Sequence, residues 1–240
     1  MKIMGRGNGI TKLFIFIQVI IYISFLYLDI IGGYDLISSY IKYIFIVFCF
    51  IYTLINYDGN NKYKSCCLIL GLSFTLLADY FLLLLGYNFE YGIAAFIIVQ
   101  QIYGIMLDSN SPPICKNNLL KRLLIQLSIV LFITLLLYYL DVNIEVVIVL
   151  SIFYFTSILV NTYRGIKVSM ILKEDRSSAL FALGMVLFVL CDINVGFFNL
   201  STYLDLSATV AIPIIRIASL LMWLFYAPSQ VLIALSIRKT

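Results

Sequence analysis

The chain has 240 residues, of which 63% are hydrophobic and only 12% charged, with a mean hydropathy of +1.06 and a formal charge of +4. An ordinary globular domain is about half apolar and a quarter charged. A water-soluble fold is therefore excluded, and an all-α integral membrane protein that crosses the bilayer several times is expected.

Apolar runs predict eight transmembrane helices in one bundle, at 12–29, 39–56, 65–86, 91–108, 121–140, 145–163, 178–198 and 207–236. Residues 1–240 read as a single transmembrane helical domain, with polar interruptions only at 56–64, 109–118 and 164–178. The first run follows Lys2, Arg6 and Lys12. No small-residue cleavage motif comes after it, so it reads as a retained span rather than a signal peptide. The last run carries Pro213 and Pro228, which predict a kink or a break.

Basic residues set the orientation. Lys62 and Lys64 lie between the second and third runs, Lys116, Lys121 and Arg122 between the fourth and fifth, and Arg164, Lys167, Lys173 and Arg176 between the sixth and seventh. Arg238 and Lys239 end the chain. All share a side with the N-terminus. The opposite loops carry Asp29, Asp35, Glu90, Asp141, Glu145 and Asp205, with Lys42 nearby at the start of a helix. The positive-inside rule then makes both termini cytoplasmic. The same asymmetry accounts for the net charge, and no nucleic-acid partner is expected.

Five cysteines, Cys49, Cys66, Cys67, Cys115 and Cys191, do not make a disulfide framework and read as reduced, small apolar residues. Cys66 and Cys67 are adjacent, so on a helix they point about 100° apart and form a poor metal pair. The chain contains no histidine. Ser-His-Asp and Cys-His catalysis are thereby removed, and no metal or cofactor is expected. Chemistry is left to carboxylates, Arg, Lys, Tyr, Asn and Gln.

Inside the spans few ionisable groups remain: Asp79, Asp192 and Arg216, with Lys42 near a helix end. An ionisable residue in a membrane helix costs a few kcal/mol, which makes it a functional candidate by default. Asp79 and Asp192 each lie about 14 residues, or roughly 21 Å, from the cytoplasmic start of their helices. Arg216 lies about 9 residues, or roughly 14 Å, from the outer face. The three can share one layer, and a lock of either acid on Arg216 is the structural alternative to a site. The segments GLSFTLLAD (71–79) and GMVLFVLCD (184–192) both place Gly eight residues before Asp, on helices of one direction, four spans apart. That is the pattern of a parallel 4+4 repeat with the two acids meeting near its axis.

These blocks resemble the YhhN-type lysoplasmalogenase family of eight-helix membrane proteins. Its S-L-L-G-D signature is similar to Thr75 through Asp79, and its F-x-x-G-x-x-x-F-x-x-x-H-x-x-Y block to Phe89, Gly92, Phe96, Gln100 and Tyr103. G-x-x-x-F-x-x-S-D resembles Gly184, Phe188, Cys191 and Asp192, and Y-x-x-x-Q resembles Tyr226 and Gln230. Lys42-Tyr43 stands where the family opens a helix with Lys-Pro. The resemblance runs from about residue 39 to 236. Three departures stand out: Gln100 for the family's His, Ala78 for Gly, and Cys191 for Ser. A glutamine can hold a water or a substrate oxygen but does not titrate.

The resemblance implies hydrolysis of the vinyl-ether bond of a lysophospholipid, the lysoplasmalogen, to a fatty aldehyde and a glycerophospho-headgroup. Such chemistry needs one carboxylic acid still protonated near neutral pH and a second carboxylate to stabilise the cation, both favoured by a low-dielectric site. On this reading Asp79 and Asp192 are the catalytic pair. Gln100, Tyr103 and Asn194 orient water, Arg216 or Lys42 binds phosphate, and Tyr226 and Gln230 complete the substrate site among membrane lipids. Two other readings stay open: a proton- or cation-coupled transporter or lipid-binding protein, and an inactive member of the family. Abundant Ile, Tyr, Asn and Lys suggest an AT-rich microbial genome and hence a bacterial plasma membrane.

Overall fold

The computed structural model describes residues 3–110, 119–141, 144–203 and 207–238. Lys2, Cys115, Lys116, Asp205 and Lys239 lie outside the described residues, as does the side chain of Arg6. Among the described residues there are eight α-helices: α1 Ile3–Ile31, α2 Asp35–Ile55, α3 Lys62–Asp79, α4 Phe89–Asn110, α5 Leu119–Tyr139, α6 Val146–Ile171, α7 Arg176–Tyr203 and α8 Ala208–Leu235. Each contains a stretch long and apolar enough to cross a bilayer. Their backbone groups are paired within the helix, as a segment surrounded by lipid requires.

Neighbour relations close into a ring, in the order α2, α3, α4, α6, α7, α8 and back to α2. Helix α1 leans on α2 and α8 from outside, and α5 on α6. Exchanging α1–α4 for α5–α8 leaves the order of the ring unchanged. The flanking α5 turns large apolar side chains outward, with Leu131 61% and Phe132 68% exposed, the surface lipid would cover.

Two glycines allow the ring to close tightly. A Cβ on Gly71 of α3 would sit 2.3 Å from the Tyr103 ring of α4. One on Gly184 of α7 would meet the Ser229 carbonyl of α8 at 3.0 Å and Ile233 at 2.8 Å. Both are small residues that let a neighbouring helix approach, as membrane bundles require. They also hold corresponding places, eight residues before each aspartate.

Three expectations need correction. Of the kink or break expected in α8, the break is absent: the helix is continuous through Pro213 and Pro228, since neighbouring residues in a packed bundle can re-satisfy the backbone groups that proline frees. Helix α6 continues to Ile171 instead of stopping near residue 163. It carries Arg164, expected in a loop, into the protein, where it and Arg122 are 8% and 2% exposed. Both arginines donate to Asp108, Arg122 at 3.2 Å, and Arg164 also donates to the Gly104 carbonyl at 3.3 Å. Pairing with an acid at the end of α4 is what makes burial of these charges tolerable. Third, α3 is not α-helical to its end. Immediately after Asp79 it widens into a π-helical turn, Tyr80–Leu85, closed by Gly86 in the left-handed conformation with φ 65°. Such turns are frequent at functional sites.

Among the described residues the cysteines Cys49, Cys66, Cys67 and Cys191 are free thiols. Cys49 accepts a hydrogen bond from Gln18.

Candidate active site

Within the ring, α3 and α7 each bring one aspartate, and each meets a tyrosine from another helix. The Tyr226 hydroxyl of α8 donates to the Asp79 carboxylate, 2.8 Å from Oδ2 and 3.0 Å from Oδ1. The Tyr154 hydroxyl of α6 donates to Asp192 Oδ2 at 2.7 Å. Asp79 is only 4% exposed and Asp192 is half-buried. Neither acid is held by Arg216, which is exposed and forms no ion pair with any described residue. The lock on Arg216 is therefore replaced by two phenol–carboxylate hydrogen bonds.

The two pairs are joined through aromatic rings. Phe96 of α4 stands between them, its centroid 5.7 Å from Tyr154 and 6.5 Å from Tyr226. Phe188 packs edge-on against Phe96 at 5.6 Å and Tyr226 at 5.4 Å. Edge-to-face contacts fix ring orientation as well as burying area, so the Tyr226 hydroxyl is aimed by its packing on Phe96 and Phe188, whereas Tyr154 meets Phe96 at a tilt of 36°.

Toward the end of the bundle that carries the α1–α2 turn, Tyr226 packs on Trp223 at 5.2 Å. The Lys42 ammonium lies 4.9 Å from the Trp223 ring centroid and 5.8 Å from that of Phe25. Lys42 is 8% exposed and makes a 2.8 Å ion pair with Asp29, which also accepts from Ser38 at 2.5 Å. The lysine expected to be a free phosphate ligand is thus already paired, and Asp29, expected in a loop, is its counter-ion within α1.

One turn from Phe96 in the opposite direction, Gln100 is fully buried. Asn161 of α6 donates to its backbone carbonyl at 2.6 Å and to its Oε1 at 3.1 Å, while Gln100 Nε2 has no protein partner. Gln230, one turn from Tyr226, is also fully buried; its Nε2 donates to Ser229 at 3.3 Å and its Oε1 is unpartnered. Tyr103 is buried edge-on against Phe181 at 5.4 Å. Asn194, expected to orient water, instead donates to the Leu190 carbonyl of its own helix at 2.7 Å.

The geometry therefore brings together Asp79, Asp192, Tyr226, Gln100 and Gln230, with Lys42 joined through Trp223, and leaves Arg216 and Asn194 aside. Sequence reasoning missed Tyr154, Asn161, Trp223 and Asp29. For two of these a signal existed: Tyr154 and Asn161 are seven residues apart and share one face of α6.

A polytopic helical membrane protein with paired, tyrosine-bonded carboxylates in its interior is the class defined by this fold and site. The sequence matches the YhhN family over residues 37–237, most of its length, and the chain belongs to that family. Neither the curated proteins nor the solved structures include a significant match.

Proposed function

We propose that the protein is a membrane-embedded hydrolase of the vinyl-ether bond of lysoplasmalogens, with Asp79 and Asp192 as its acid and charge-stabilising pair. The observation that carries this reading is the site's composition: two interior carboxylates, each held by one tyrosine hydroxyl and by no cation among the described residues. Membership of the YhhN family is consistent with it. One carboxylic acid protonates the vinyl carbon remote from the ether oxygen. The resulting oxocarbenium ion is stabilised by the other carboxylate, and water adds to it. A proton returns to the first carboxylate, and the hemiacetal collapses to a fatty aldehyde and the headgroup alcohol. One water is consumed and no redox change occurs. The aromatic rings around the acids suit a low-dielectric site that accepts a single apolar chain. Both termini would face the cytoplasm, and the membrane would be a bacterial plasma membrane.

The test is aldehyde release from a lysoplasmenyl lipid by purified protein in detergent. Wild type should release aldehyde, and Asp79→Asn and Asp192→Asn, checked for folding, should not. Folded wild type that releases none across several headgroups overturns the reading. A second reading, a proton- or cation-coupled carrier, is favoured by one observation. The ring order is preserved on exchanging α1–α4 for α5–α8, as in carriers built from two repeats with their site at the repeat interface. Substrate-dependent proton uptake by proteoliposomes would support it.

A further inference from the structure

At the end of the bundle where α1 begins and α8 ends, Asn61, Lys64, Asp175, Ser177 and Ser178 line a cavity of about 200 Å³ whose wall is completed by the apolar Leu172 and Ile237. The buried Lys64 ammonium donates to Ser177, whose own hydroxyl donates to the Ser236 carbonyl. A second, smaller cavity of about 20 Å³ shares Lys64 and Ser178 with the first and is also lined by Leu107, Gly165 and Phe181. A volume of that size is enough for one water molecule.

From Leu107 the inward face of α4 continues through Tyr103 and Gln100 to Phe96, steps of four, three and four residues that keep one stripe of the helix. The buried Tyr103 hydroxyl has no hydrogen-bond partner in the protein, and Thr75 donates its own proton to the Gly71 carbonyl at 3.1 Å. Next come the buried amides, where Gln100 Nε2, Asn161 Oδ1 and Gln230 Oε1 have no protein partner. Gln100, Asn161 and Gln230 are at most 1% exposed. A donor and an acceptor left unmatched where Gln100 meets Asn161, and an acceptor left unmatched at Gln230 one turn from Tyr226, cost free energy unless something supplies the missing bonds. Water, both donor and acceptor, fits this set.

We propose that water reaches the paired aspartates from the end of the bundle where α1 begins and α8 ends, passing along α4 from the cavity at Lys64, by Tyr103, to a hydrated cluster of Gln100, Asn161 and Gln230. The path takes the aspartates as the reacting groups, as in the hydrolase reading, and gives that reaction the water it consumes. Gln100 is a positioning residue on this path, holding water one turn below Phe96. Gly165 lines the smaller of its two cavities. A Cβ there would lie 3.8 Å from Phe181 and 3.7 Å from Ala182, ordinary contact, so alanine can enter without displacing either neighbour.

The experiment uses full-length protein labelled with ¹⁵N-glutamine in lipid nanodiscs without substrate, so its outcome is independent of whether the protein hydrolyses anything. Side-chain amide exchange and water cross-peaks are read by NMR, with Gln100 assigned from Gln100→Met. The Gln100 carboxamide should show a water cross-peak in wild type. Its exchange should slow about tenfold in Gly165→Ala, as a group that has lost direct water and must wait for local opening. Backbone amides of α4 should exchange unchanged in that variant. Leu107→Phe, which fills the same cavity from the opposite helix, should act alike if Gly165→Ala folds poorly. A Gln100 carboxamide with no water cross-peak, or one whose exchange is the same in either folded plug variant, overturns the proposal. Water contact at Gln100 with no aldehyde release would leave the path standing and remove the hydrolase.

Discussion

Replacing Tyr226 with phenylalanine removes one hydroxyl and, with it, the hydrogen bond shared by both carboxylate oxygens of Asp79. Ring packing against Phe96, Phe188 and Trp223 is kept, so the change isolates the polar contact. Asp79 is 4% exposed and no other described side chain donates to it, so bulk water cannot readily take over. Leaving a buried polar group without its partner costs about 1–3 kcal/mol. At about 2–4 °C per kcal/mol for a chain of this size, melting should fall by roughly 2–12 °C. Tyr154→Phe does the same to Asp192, which is only half-buried and accepts at one oxygen, so its cost should fall at the low end. The assay is thermal denaturation in detergent, followed by the monodisperse fraction on size exclusion. Adding Asp79→Asn to Tyr226→Phe should cost less than the sum of the two single changes, with a coupling of about 0.5 kcal/mol or more. The reasoning is refuted if Tyr226→Phe lies within about 0.5 kcal/mol of wild type, the range of an unremarkable surface change. It also fails if Tyr154→Phe proves the more costly of the two.

Gly184→Ala places a methyl 3.0 Å from the Ser229 carbonyl, which belongs to helix backbone and cannot swing away. It should lower stability by about 1–3 kcal/mol, measured in the same assay. Lys42→Met leaves the half-buried Asp29 beside Ser38 without its cation and should cost about 1–3 kcal/mol, much of it recovered on adding Asp29→Asn. Failure of the second substitution to rescue would show that the stacking of Lys42 on Trp223, not the ion pair, carries the stability. Arg216→Gln should change stability by no more than about 0.5 kcal/mol, because the side chain is exposed and has no ionic partner among the described residues.

Eight spans, their approximate limits and the two interior aspartates were legible in the sequence. A bilayer admits few solutions: the backbone must be helical, the run must be long and apolar, and any charge inside is conspicuous. The glycines at 71 and 184 were legible as a matched pair for the same reason, since a small residue eight positions before each acid breaks an otherwise bulky run. What partners those acids was not legible. Arg216 was the nearest charge by depth, yet depth along the normal says nothing of which way a helix faces. The rotation of α8 instead turns Tyr226 and Gln230 inward and leaves Arg216 exposed. Tyr154 is one of 18 tyrosines in the chain, and only the packing of α6 between α4 and α7 distinguishes it from those that face outward. Likewise Asp29 and Lys42 read as a loop acid and a helix-end base until α1 and α2 lie side by side and the two charges meet. Arg122 and Arg164 read as topology signals, and tertiary packing made them interior cations sharing Asp108. Local sequence determines which segments cross the membrane because hydration and backbone hydrogen bonding act residue by residue. Which side chains meet inside depends on the rotation of each helix about its axis, and that is decided only when all the neighbouring faces pack at once.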